Sequence, residues 1–481
     1  MKHYLPQISW HGTDAVLCVA VQPDRGDGPS KDVYRLATGS IDRKVRLWAL
    51  AVDAGAELGC DFLCEMAKHD VAVNRVEFSP DGEALASADA DGVIFVWKRD
   101  ERANSTAPNI FHSDDMVPNK ESWTHCRRLR NHTSDVSDLC WSPDGTMLAS
   151  VSVDDSLIIY DITRGNVLKV IKSFNKYPMG VCWDPRGKFL AVQTADRQLC
   201  VFSAAPPFAR LHRVSKAVLD DTQKEPVVLY EDAQLMSFVR KPTFTPDGQL
   251  LLSVAGQLSR GGRLLSVVYV SSRRRLQAPA AVIYMTATTK PAILVKCCPL
   301  FFALRNADVN YSGLPYRFVF AVMTLNQVLL FDTQTPQALG RIANIHYANL
   351  TDVSWSSDGR TLVVSAQDGY NSVVHLEADE LGERLPAESV PSPPRSPLPA
   401  AGAAADKKTP KASSGADKRK AARSPAFASA TTPKSAKLDK FFVSKGSSSS
   451  SSQQNQKAPA PVLKETDPQN AKRRVAFVTL D

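Results

Sequence analysis

Histidine and aspartate recur in this sequence at a fixed distance, and such pairs are frequent acid–base partners in enzymes. His132 lies 22 residues before Asp154, and His69 lies 22 residues before Asp91. A carboxylate that accepts a hydrogen bond from an imidazole can orient the ring for proton transfer. A spacing that returns along the chain is, however, typical of a repeated structural unit. We therefore interpret these pairs as bonds that tie a turn to a neighbouring strand.

Four aspartates lie six residues before an aromatic residue that closes an apolar segment. The segments read LATGSIDRKVRLW, LASADADGVIFVW, LASVSVDDSLIIYD and LAVQTADRQLCVF, and their turn aspartates are Asp42, Asp91, Asp154 and Asp196. Each segment alternates as a strand, a turn and a second strand. Asp, Gly and Ser favour the turn because they tolerate or stabilise its backbone geometry. We predict that the four aspartates are structural residues of the blade turns.

A second turn signal precedes these segments. An aromatic residue is followed by a Pro-Asp-Gly turn or a close variant, as in Phe78–Gly82, Trp141–Gly145, Trp183–Gly187, Phe244–Gly248 and Trp355–Gly359. This pattern predicts a strand that ends in a hairpin. With the histidines and turn aspartates, the order resembles that of WD40 repeat proteins. The resemblance implies a β-propeller of four-stranded blades.

The chain divides into two regions of different composition. We predict an all-β fold, a seven-bladed WD40 β-propeller over residues 1–384, with insertions near 99–130 and 204–241. Residues 385–481 are rich in Ser, Pro, Ala and Lys and predict a disordered basic tail. From Pro386 onward there are 17 Lys and Arg against 7 Asp and Glu, a net charge of +10. Because the whole chain carries +8, the basicity belongs to the tail.

Composition and motifs exclude several classes of function. The nine cysteines are scattered without a zinc-ligand spacing, so we expect no metal and no cofactor. No apolar leader and no run long enough to span a membrane occurs, which predicts a soluble, non-secreted protein without a membrane partner. No nucleophile, phosphate-binding or metalloprotease motif is present. We expect a binding scaffold and not an enzyme.

The tail contains a short apolar cluster. Leu438 lies three residues before Phe441 and Phe442, so that one turn of 3₁₀ helix would present all three side chains together. The cluster resembles the motif that binds the sliding clamp PCNA, although Ser435 stands where that motif has Gln. A chance apolar cluster is the alternative interpretation.

The C-terminus combines three cations with an alternating apolar segment, KRRVAFVTL. An extended segment of this kind can add a strand to the edge of a partner's sheet, while its cations meet an acidic surface. A nuclear import signal or an unused tail is the alternative. No aromatic residues interleave with the basic ones as base-reading would require, so we expect no sequence-specific DNA binding.

A closer resemblance covers about residues 8–385. NKESW, SFVRKPTFTPDG, VKCCPLFFALR, LPYRFVFAV and NIHYANLTDVSWSSDG lie outside the general WD40 pattern. They resemble the WD40 middle subunits of chromatin assembly factor 1. The resemblance implies a nuclear scaffold in replication-coupled assembly of histones H3–H4, which binds the large and small subunits of that factor. It also implies that the tail binds the anti-silencing-factor chaperone through Lys472, Arg473, Arg474, Val475 and Leu480.

Three alternatives stay open. A replication-independent HIR-type chaperone subunit shares the propeller and a similar basic motif, but carries a long second domain after its tail. A substrate receptor of a cullin ubiquitin ligase would show Trp-Asp-x-Arg, whereas Tyr160-Asp161 is followed by Arg164 one place late. An enzyme would need a convergent polar pocket at a propeller mouth.

Overall fold

The computed structural model of the protein describes residues 1–24, 33–52, 58–100, 118–219, 225–231, 237–260, 262–279, 281–284, 290–305, 310–377 and 380–386. Within these ranges every regular element is a β-strand. No helix suited to crossing a membrane is found among them.

The strands form seven four-stranded antiparallel sheets, the blades of a β-propeller. The first strand, β1 (Lys2–Tyr4), belongs to the last blade. Blade 1 contains β2 (Val16–Val21), β3 (Val33–Ser40), β4 (Val45–Val52) and β5 (Leu58–Met66); blade 2 contains β6 (Val73–Phe78), β7 (Ala84–Asp89), β8 (Val93–Arg99) and β9 (Trp123–Arg130); blade 3 contains β10 (Val136–Trp141), β11 (Met147–Ser152), β12 (Ser156–Asp161) and β13 (Asn166–Ile171).

The remaining blades follow in chain order. Blade 4 contains β14 (Pro178–Trp183), β15 (Phe189–Thr194), β16 (Leu199–Ser203) and β17 (Arg210–Val214); a separate pair is β18 (Lys216–Ala217) with β19 (Val227–Val228); blade 5 contains β20 (Thr243–Phe244), β21 (Leu250–Arg260), β22 (Arg263–Ser272) and β23 (Ala281–Tyr284); blade 6 contains β24 (Leu294–Cys297), β25 (Val319–Met323), β26 (Gln327–Asp332) and β27 (Ala338–Ala343); blade 7 contains β28 (Leu350–Trp355), β29 (Thr361–Ala366), β30 (Asn371–His375) and β1. The predicted seven-bladed, all-β architecture is confirmed.

The first strand of each blade lies at the centre of the ring. Each of these inner strands neighbours the inner strands of the two adjacent blades, and β28 returns to β2. The inner strand VLCVAV of blade 1 is buried at every position. Strands that are covered on both faces read as continuous apolar runs, since neither face meets water.

The ring closes by pairing the first strand of the chain with the last. Lys2, His3 and Tyr4 of β1 lie opposite His375, Val374 and Val373 of β30 in antiparallel register. The N-terminal amino group also forms an ion pair with Glu380. Because β1 occupies the outer position of blade 7, the last blade is assembled from both ends of the propeller sequence.

The blades are joined by apolar cores that lie between neighbours. Ala86 and Ile94 of blade 2 share one core with Leu148 and Tyr160 of blade 3. A large apolar side chain stabilises the fold by roughly 1.5–3 kcal/mol when fully buried. The strands thus form blades through hydrogen bonds, and the blades form a ring mainly through apolar contacts.

The predicted Pro-Asp-Gly hairpins are confirmed, and their side-chain contacts explain how the chain turns. The Ser142 hydroxyl donates to the Asp144 carboxylate at 2.5 Å, and Asp144 accepts the amide of Thr146 at 3.2 Å. Gly145 follows with φ of +69°, a left-handed geometry that glycine adopts without a steric cost. The hydroxyl, the carboxylate and the glycine together reverse the chain between β10 and β11.

The outer strands are where the structure departs from expectation. The segment 99–130, predicted to be an insertion, ends in the outer strand β9, and the segment 204–241 contains β17. Outer strands have one unpaired edge and partly exposed side chains, as in β13, where Leu168 and Val170 are exposed. Their sequences lack the clean apolar alternation from which the inner strands were predicted.

Candidate functional site

The His-Asp pair of blade 1 is part of a buried chain of hydrogen bonds. His11 contacts Asp42 through Nδ1 at 2.9 Å and the Thr38 hydroxyl through Nε2 at 2.8 Å. The Trp48 indole N–H donates to the same Thr38 oxygen at 3.0 Å. We assign a neutral His11 that donates from Nδ1, since Thr38 can then donate to Nε2 and accept from Trp48. Burial lowers the pKa of His11, against the opposing effect of Asp42.

Blade 2 repeats this chain with a different aspartate from the one predicted. His69 contacts Asp89 at 2.7 Å and Ser87 at 2.7 Å, and Trp97 donates to Ser87 at 2.8 Å. The predicted bond from His69 to Asp91 is therefore wrong. Asp91 lies exposed in the turn and donates its backbone amide to Asp89 at 3.0 Å. The 22-residue spacing located the correct turn, but the carboxylate that contacts the His69 imidazole belongs to Asp89.

The predicted bond between His132 and Asp154 in blade 3 is confirmed. The His132 Nδ1 lies 3.1 Å from the carboxylate, and Nε2 lies 2.7 Å from the Ser150 hydroxyl. Burial alone would raise the pKa of Asp154, but hydrogen bonds from His132, Ser156 and the amide of Thr133 hold it well below its usual range. The carboxylate is therefore ionised and fully engaged at neutral pH.

Blade 4 carries an altered version of the chain. Phe174 takes the place of histidine and packs on Phe202, with ring centroids 5.9 Å apart. Asp196 lies in the turn and accepts from Thr194 at 2.5 Å and from Gln198 at 2.5 Å. The predicted turn position of Asp196 is therefore correct, and its hydrogen-bond partners are residues of the same turn.

Blade 7 contains a pair that the sequence motifs did not predict. His346 Nδ1 lies 3.1 Å from Asp368, again 22 residues along the chain, so the spacing alone would have found it. The aromatic and hydroxyl positions of the pattern are occupied by Val374 and Val364. The buried His346 Nε2 consequently has no hydrogen-bond partner among the described residues.

These clusters hold turns in place and offer no site for a substrate. The imidazoles of His11, His69 and His132 have no exposed side-chain surface. Both ring nitrogens of each imidazole contact a carboxylate or hydroxyl of the protein. A general base must reach a substrate proton within hydrogen-bonding distance, and these rings cannot.

A second group of charges lies at the centre of the ring. Arg75 on β6 donates to Asp138 on β10 at 2.9 Å and to Asp352 on β28 at 2.7 Å. Lys241, just before β20, donates to Asp138 at 2.9 Å and to Glu77 at 3.1 Å. We call these five residues the central charge network. It connects the inner strands of blades 2, 3, 5 and 7.

Backbone groups of further blades complete the network. Asp138 accepts the amide of Val181 in blade 4 at 3.0 Å, and Asp352 accepts the amide of Val19 in blade 1 at 3.2 Å. Burial alone would lower the pKa of Arg75, but Asp352 and Asp138 outweigh that effect and raise it. Each charge of Arg75 and Asp138 therefore faces an opposite charge, as burial requires.

An apolar cleft opens between blades 5 and 6. Its volume is 460 Å³, and its walls include Leu250 and Ile283 of blade 5 and Phe320 of blade 6. Among the described residues that line it, the one carboxylate is that of Asp332, which accepts from Arg317 and Arg305 and from the amide of Gln334. The cleft suits an apolar side chain better than a reaction that needs a free acid and base.

The predicted partner motifs lie outside the described residues. These are the chaperone-binding residues Lys472, Arg473, Arg474, Val475 and Leu480, and the clamp-binding residues Leu438, Phe441 and Phe442. In the described part of the chain no cluster of three or more His, Cys, Asp or Glu is arranged to hold a metal ion. Burial raises the pKa of the Cys200 thiol to about 11, which makes it a poor nucleophile at neutral pH.

Comparisons with known proteins cover the same propeller. The family model of the CAF1B/HIR1 beta-propeller domain matches residues 1–381. The B subunit of chromatin assembly factor 1 from Mus musculus is 34% identical over an alignment of 403 positions that covers 81% of this chain and 69% of that protein. The B subunit of the factor from Saccharomyces cerevisiae is 29% identical over an alignment of 416 positions that covers 79% of this chain and 87% of that protein. Protein HIR1 of Yarrowia lipolytica is 27% identical over an alignment of 429 positions that covers 79% of this chain and 38% of that protein.

Proposed function

The chain belongs to the CAF1B/HIR1 β-propeller family, and from that premise we propose that it is the WD40 scaffold subunit of a nuclear chromatin assembly factor. In this proposal the protein catalyses no reaction. It holds the large and small subunits of the factor and helps to deliver histones H3–H4 to newly replicated DNA. The propeller is the platform for the large subunit, and the tail recruits the chaperone that brings histones.

The observation that carries the proposal is the extent of the likeness to the B subunits of chromatin assembly factor 1. The mouse protein matches 81% of this chain at 34% identity, and the match accounts for 69% of its own length. The interior supports a scaffold, because the His-Asp pairs hold turns within their own blades and the central charge network connects different blades. A fold by itself does not assign a function, so the proposal rests on this likeness and not on the propeller alone.

The chaperone contact is proposed for the C-terminal motif. Lys472, Arg473 and Arg474 would meet acidic side chains of the anti-silencing factor. Val475 and Leu480 would then present apolar side chains along an added strand. Backbone hydrogen bonds provide affinity in such a complex, and the alternating side chains provide specificity.

A peptide of residues 469–481 tests this contact. We expect micromolar or tighter binding to the anti-silencing factor by calorimetry, and its loss on Arg473→Ala with Arg474→Ala. A peptide with Lys457→Ala and Lys464→Ala, extended to include those positions, serves as the charge-matched control. Absence of binding by the unmodified peptide would leave the family assignment intact and remove the chaperone role of the tail.

A replication-independent, HIR-type role is the second candidate, since HIR1 of Yarrowia lipolytica matches 79% of this chain. Purification of the intact protein from dividing cells separates the two. The replication-coupled role predicts co-purification of the large subunit and enrichment at newly replicated DNA. A complex found equally on unreplicated chromatin would favour the HIR-type role.

The sliding-clamp contact is proposed as a separate, weaker tether. Leu438, Phe441 and Phe442 would enter the apolar pocket of PCNA. The test is binding of a peptide of residues 432–445 to PCNA, beside the variant with Phe441→Ala and Phe442→Ala. Equal binding by both peptides would identify the cluster as incidental.

A further inference from the structure

The outer strands of blades 2, 3 and 4 differ in charge from those of the other blades. β9, β13 and β17 contain no Asp or Glu, and their six cations are Arg127, Arg128, Arg130, Lys169, Arg210 and Arg213. We call these six residues the basic belt. The outer strands of the other four blades contain two cations, Lys2 and Arg341, and two acids, Asp61 and Glu65. The charge therefore lies on one side of the ring.

The composition of the propeller does not predict this difference in charge between the outer strands. Residues 1–385 carry a net charge of about −2, since the tail contributes +10 and the whole chain carries +8. A surface with the average composition of this region would have both signs interspersed. Six cations without an acid on three consecutive edges thus form a local field that the rest of the propeller does not share.

No carboxylate of the described residues forms an ion pair with the basic belt. Arg127 donates to the carbonyls of Ile162 and Thr163, at 3.2 and 2.8 Å. Arg213 donates to the amide oxygen of Gln198 at 2.5 Å. Neutral acceptors of this kind orient a guanidinium and leave its charge uncompensated.

The remaining members of the belt also form no ion pair with a carboxylate of the described residues. Arg128 lies over the Phe95 ring, 5.7 Å from its centroid, and Arg210 donates to the Ser173 carbonyl at 3.0 Å. Arg130 and Lys169 are exposed. Most of the belt therefore presents a full positive charge to solvent.

Two of these contacts make the belt continuous from blade to blade. Arg127 of blade 2 reaches the turn between β12 and β13 of blade 3 through the Ile162 and Thr163 carbonyls. Arg210 of blade 4 reaches Ser173, just after β13. The three strand edges are thus adjacent surfaces, and the line of cations runs across the strands around the rim.

We propose that the basic belt is a binding surface for the phosphate backbone of duplex DNA, independent of base sequence. A duplex carries one negative charge per about 1.7 Å of its axis, and an extended row of cations that form no ion pair among the described residues matches it. No Phe, Tyr or Trp side chain is exposed on β9, β13 or β17 for stacking on bases, which favours backbone contacts over base reading.

An acidic protein segment would meet the same charges, but the described geometry favours DNA. Recognition of individual carboxylates uses a guanidinium fork aimed at one point, often within a pocket. Here the cations are spread over three strands and do not converge. A polymer with evenly spaced charge gains from such a distribution, because each phosphate contact releases counterions.

The test uses the full chain, with one cation removed from each outer strand. The belt variant carries Arg130→Ala, Lys169→Ala and Arg213→Ala. The control carries Lys68→Ala, Arg263→Ala and Arg274→Ala, which are exposed cations outside the belt and give the same net charge. Both variants keep the basic tail, so the comparison isolates the position of the lost charges. The probe is a mixed-sequence DNA duplex, measured by fluorescence anisotropy over a range of salt.

We expect the belt variant to bind at least about tenfold more weakly at physiological salt. Three lost phosphate contacts should also reduce the slope of log K against log salt by about 2.7. The control should stay within about twofold of the unmodified protein. A charge-preserving variant, with Arg130→Lys, Lys169→Arg and Arg213→Lys, should retain the affinity.

Three results would overturn the proposal. They are an equal loss in the belt and control variants, no DNA binding by the unmodified chain, and a loss for polyglutamate without a loss for DNA. The last result would assign the belt to an acidic protein partner. Thermal melting checks the fold of each variant, and Lys169→Glu alone repeats the test if the triple variant melts early.

Discussion

At the scale of single residues, the recurring His-Asp pairs show how a catalytic-looking motif becomes structural. In blades 1 to 3 a tryptophan or tyrosine, a hydroxyl, an imidazole and a carboxylate occupy one buried site. The three histidine side chains are fully buried, and their ring nitrogens are occupied by protein groups. Blade 4 replaces the polar chain by two packed phenylalanines. The space between the turn and the strand is thus filled in each of these blades, either by a hydrogen-bonded polar cluster or by packed aromatic rings.

The His132 cluster includes a hydroxyl contact and the His346 cluster lacks one, so equivalent substitutions in the two can be compared. His132→Ala leaves Ser150 and the buried side of Asp154 without their imidazole partner, and should lower the free energy of unfolding by roughly 2–4 kcal/mol. His346→Ala removes only the contact with Asp368, and should cost roughly 1–2 kcal/mol. Urea unfolding of both variants measures the difference. A larger loss for His346→Ala would contradict the role we assign to the hydroxyl contact.

The same clusters predict how stability depends on pH. Burial lowers the pKa of His11 below its ordinary value of 6.5, so the folded state binds its proton less readily than the unfolded chain. Its contribution to stability is present above pH 6.5 and is lost as pH falls through the lowered pKa. The pKa of Asp154 and Asp368 lies below the ordinary 3.8, which adds a second loss below pH 3.8.

Urea midpoints between neutral pH and about pH 4 test the first loss. His11→Phe, which copies the residue found in blade 4, should flatten that part of the profile. An unchanged slope in His11→Phe would show that other groups, such as the partly buried His3, dominate it.

At the scale of elements, the inner strands are held by charge as well as by apolar packing. Asp138 pairs with Arg75 and Lys241 and accepts an amide from blade 4. Asp138→Asn removes the charge that compensates two buried cations, and should destabilise the propeller by roughly 3–5 kcal/mol. Denaturant unfolding measures this, with the exposed Asp70→Asn as the control. Equal stability of the two variants would mean that water compensates the cations at the ring centre.

The sequence predicted the inner and middle strands well because those strands are covered by neighbours. In the segment from Leu148 to Tyr160, the residues of β11 and β12 are mostly apolar and buried. The turn between these two strands contains Asp154 and Asp155. The outer strands were missed or predicted as insertions because one edge and part of each face meet water. Arg127, Arg128 and Arg130 thus looked like a loop, although they lie on β9.

The sequence predicted contacts of the candidate site only where the two residues lie a short, recurring distance apart in the chain. The 22-residue distance found His132 with Asp154, whereas Asp89 required knowledge of how far β7 extends. The central charge network joins Arg75 to Asp352, which lie 277 residues apart. Such a pair depends on ring closure and leaves no local pattern in the sequence.

At the scale of the whole molecule, we expect stability to depend on the pairing of β1 with β30. Deleting residues 1–4 should open blade 7, expose the edge of Asn371–His375 and lower the melting temperature by several degrees. Hydrogen exchange at β30 should rise in parallel. Lys2→Ser is the control, because it removes the ion pair with Glu377 at 3.7 Å and keeps the backbone pairing. An unchanged melting temperature after the deletion would show that the other blades hold the ring shut.

This closure sets an order of events on the ribosome. β1 is synthesised first, but its partner β30 follows more than 360 residues later. At typical rates of translation the first strand waits for roughly 20–75 s before its partner exists. During that interval the apolar blade faces that lie against a neighbour in the closed ring are still uncovered, so we expect the growing chain to be prone to aggregation until the last blade emerges.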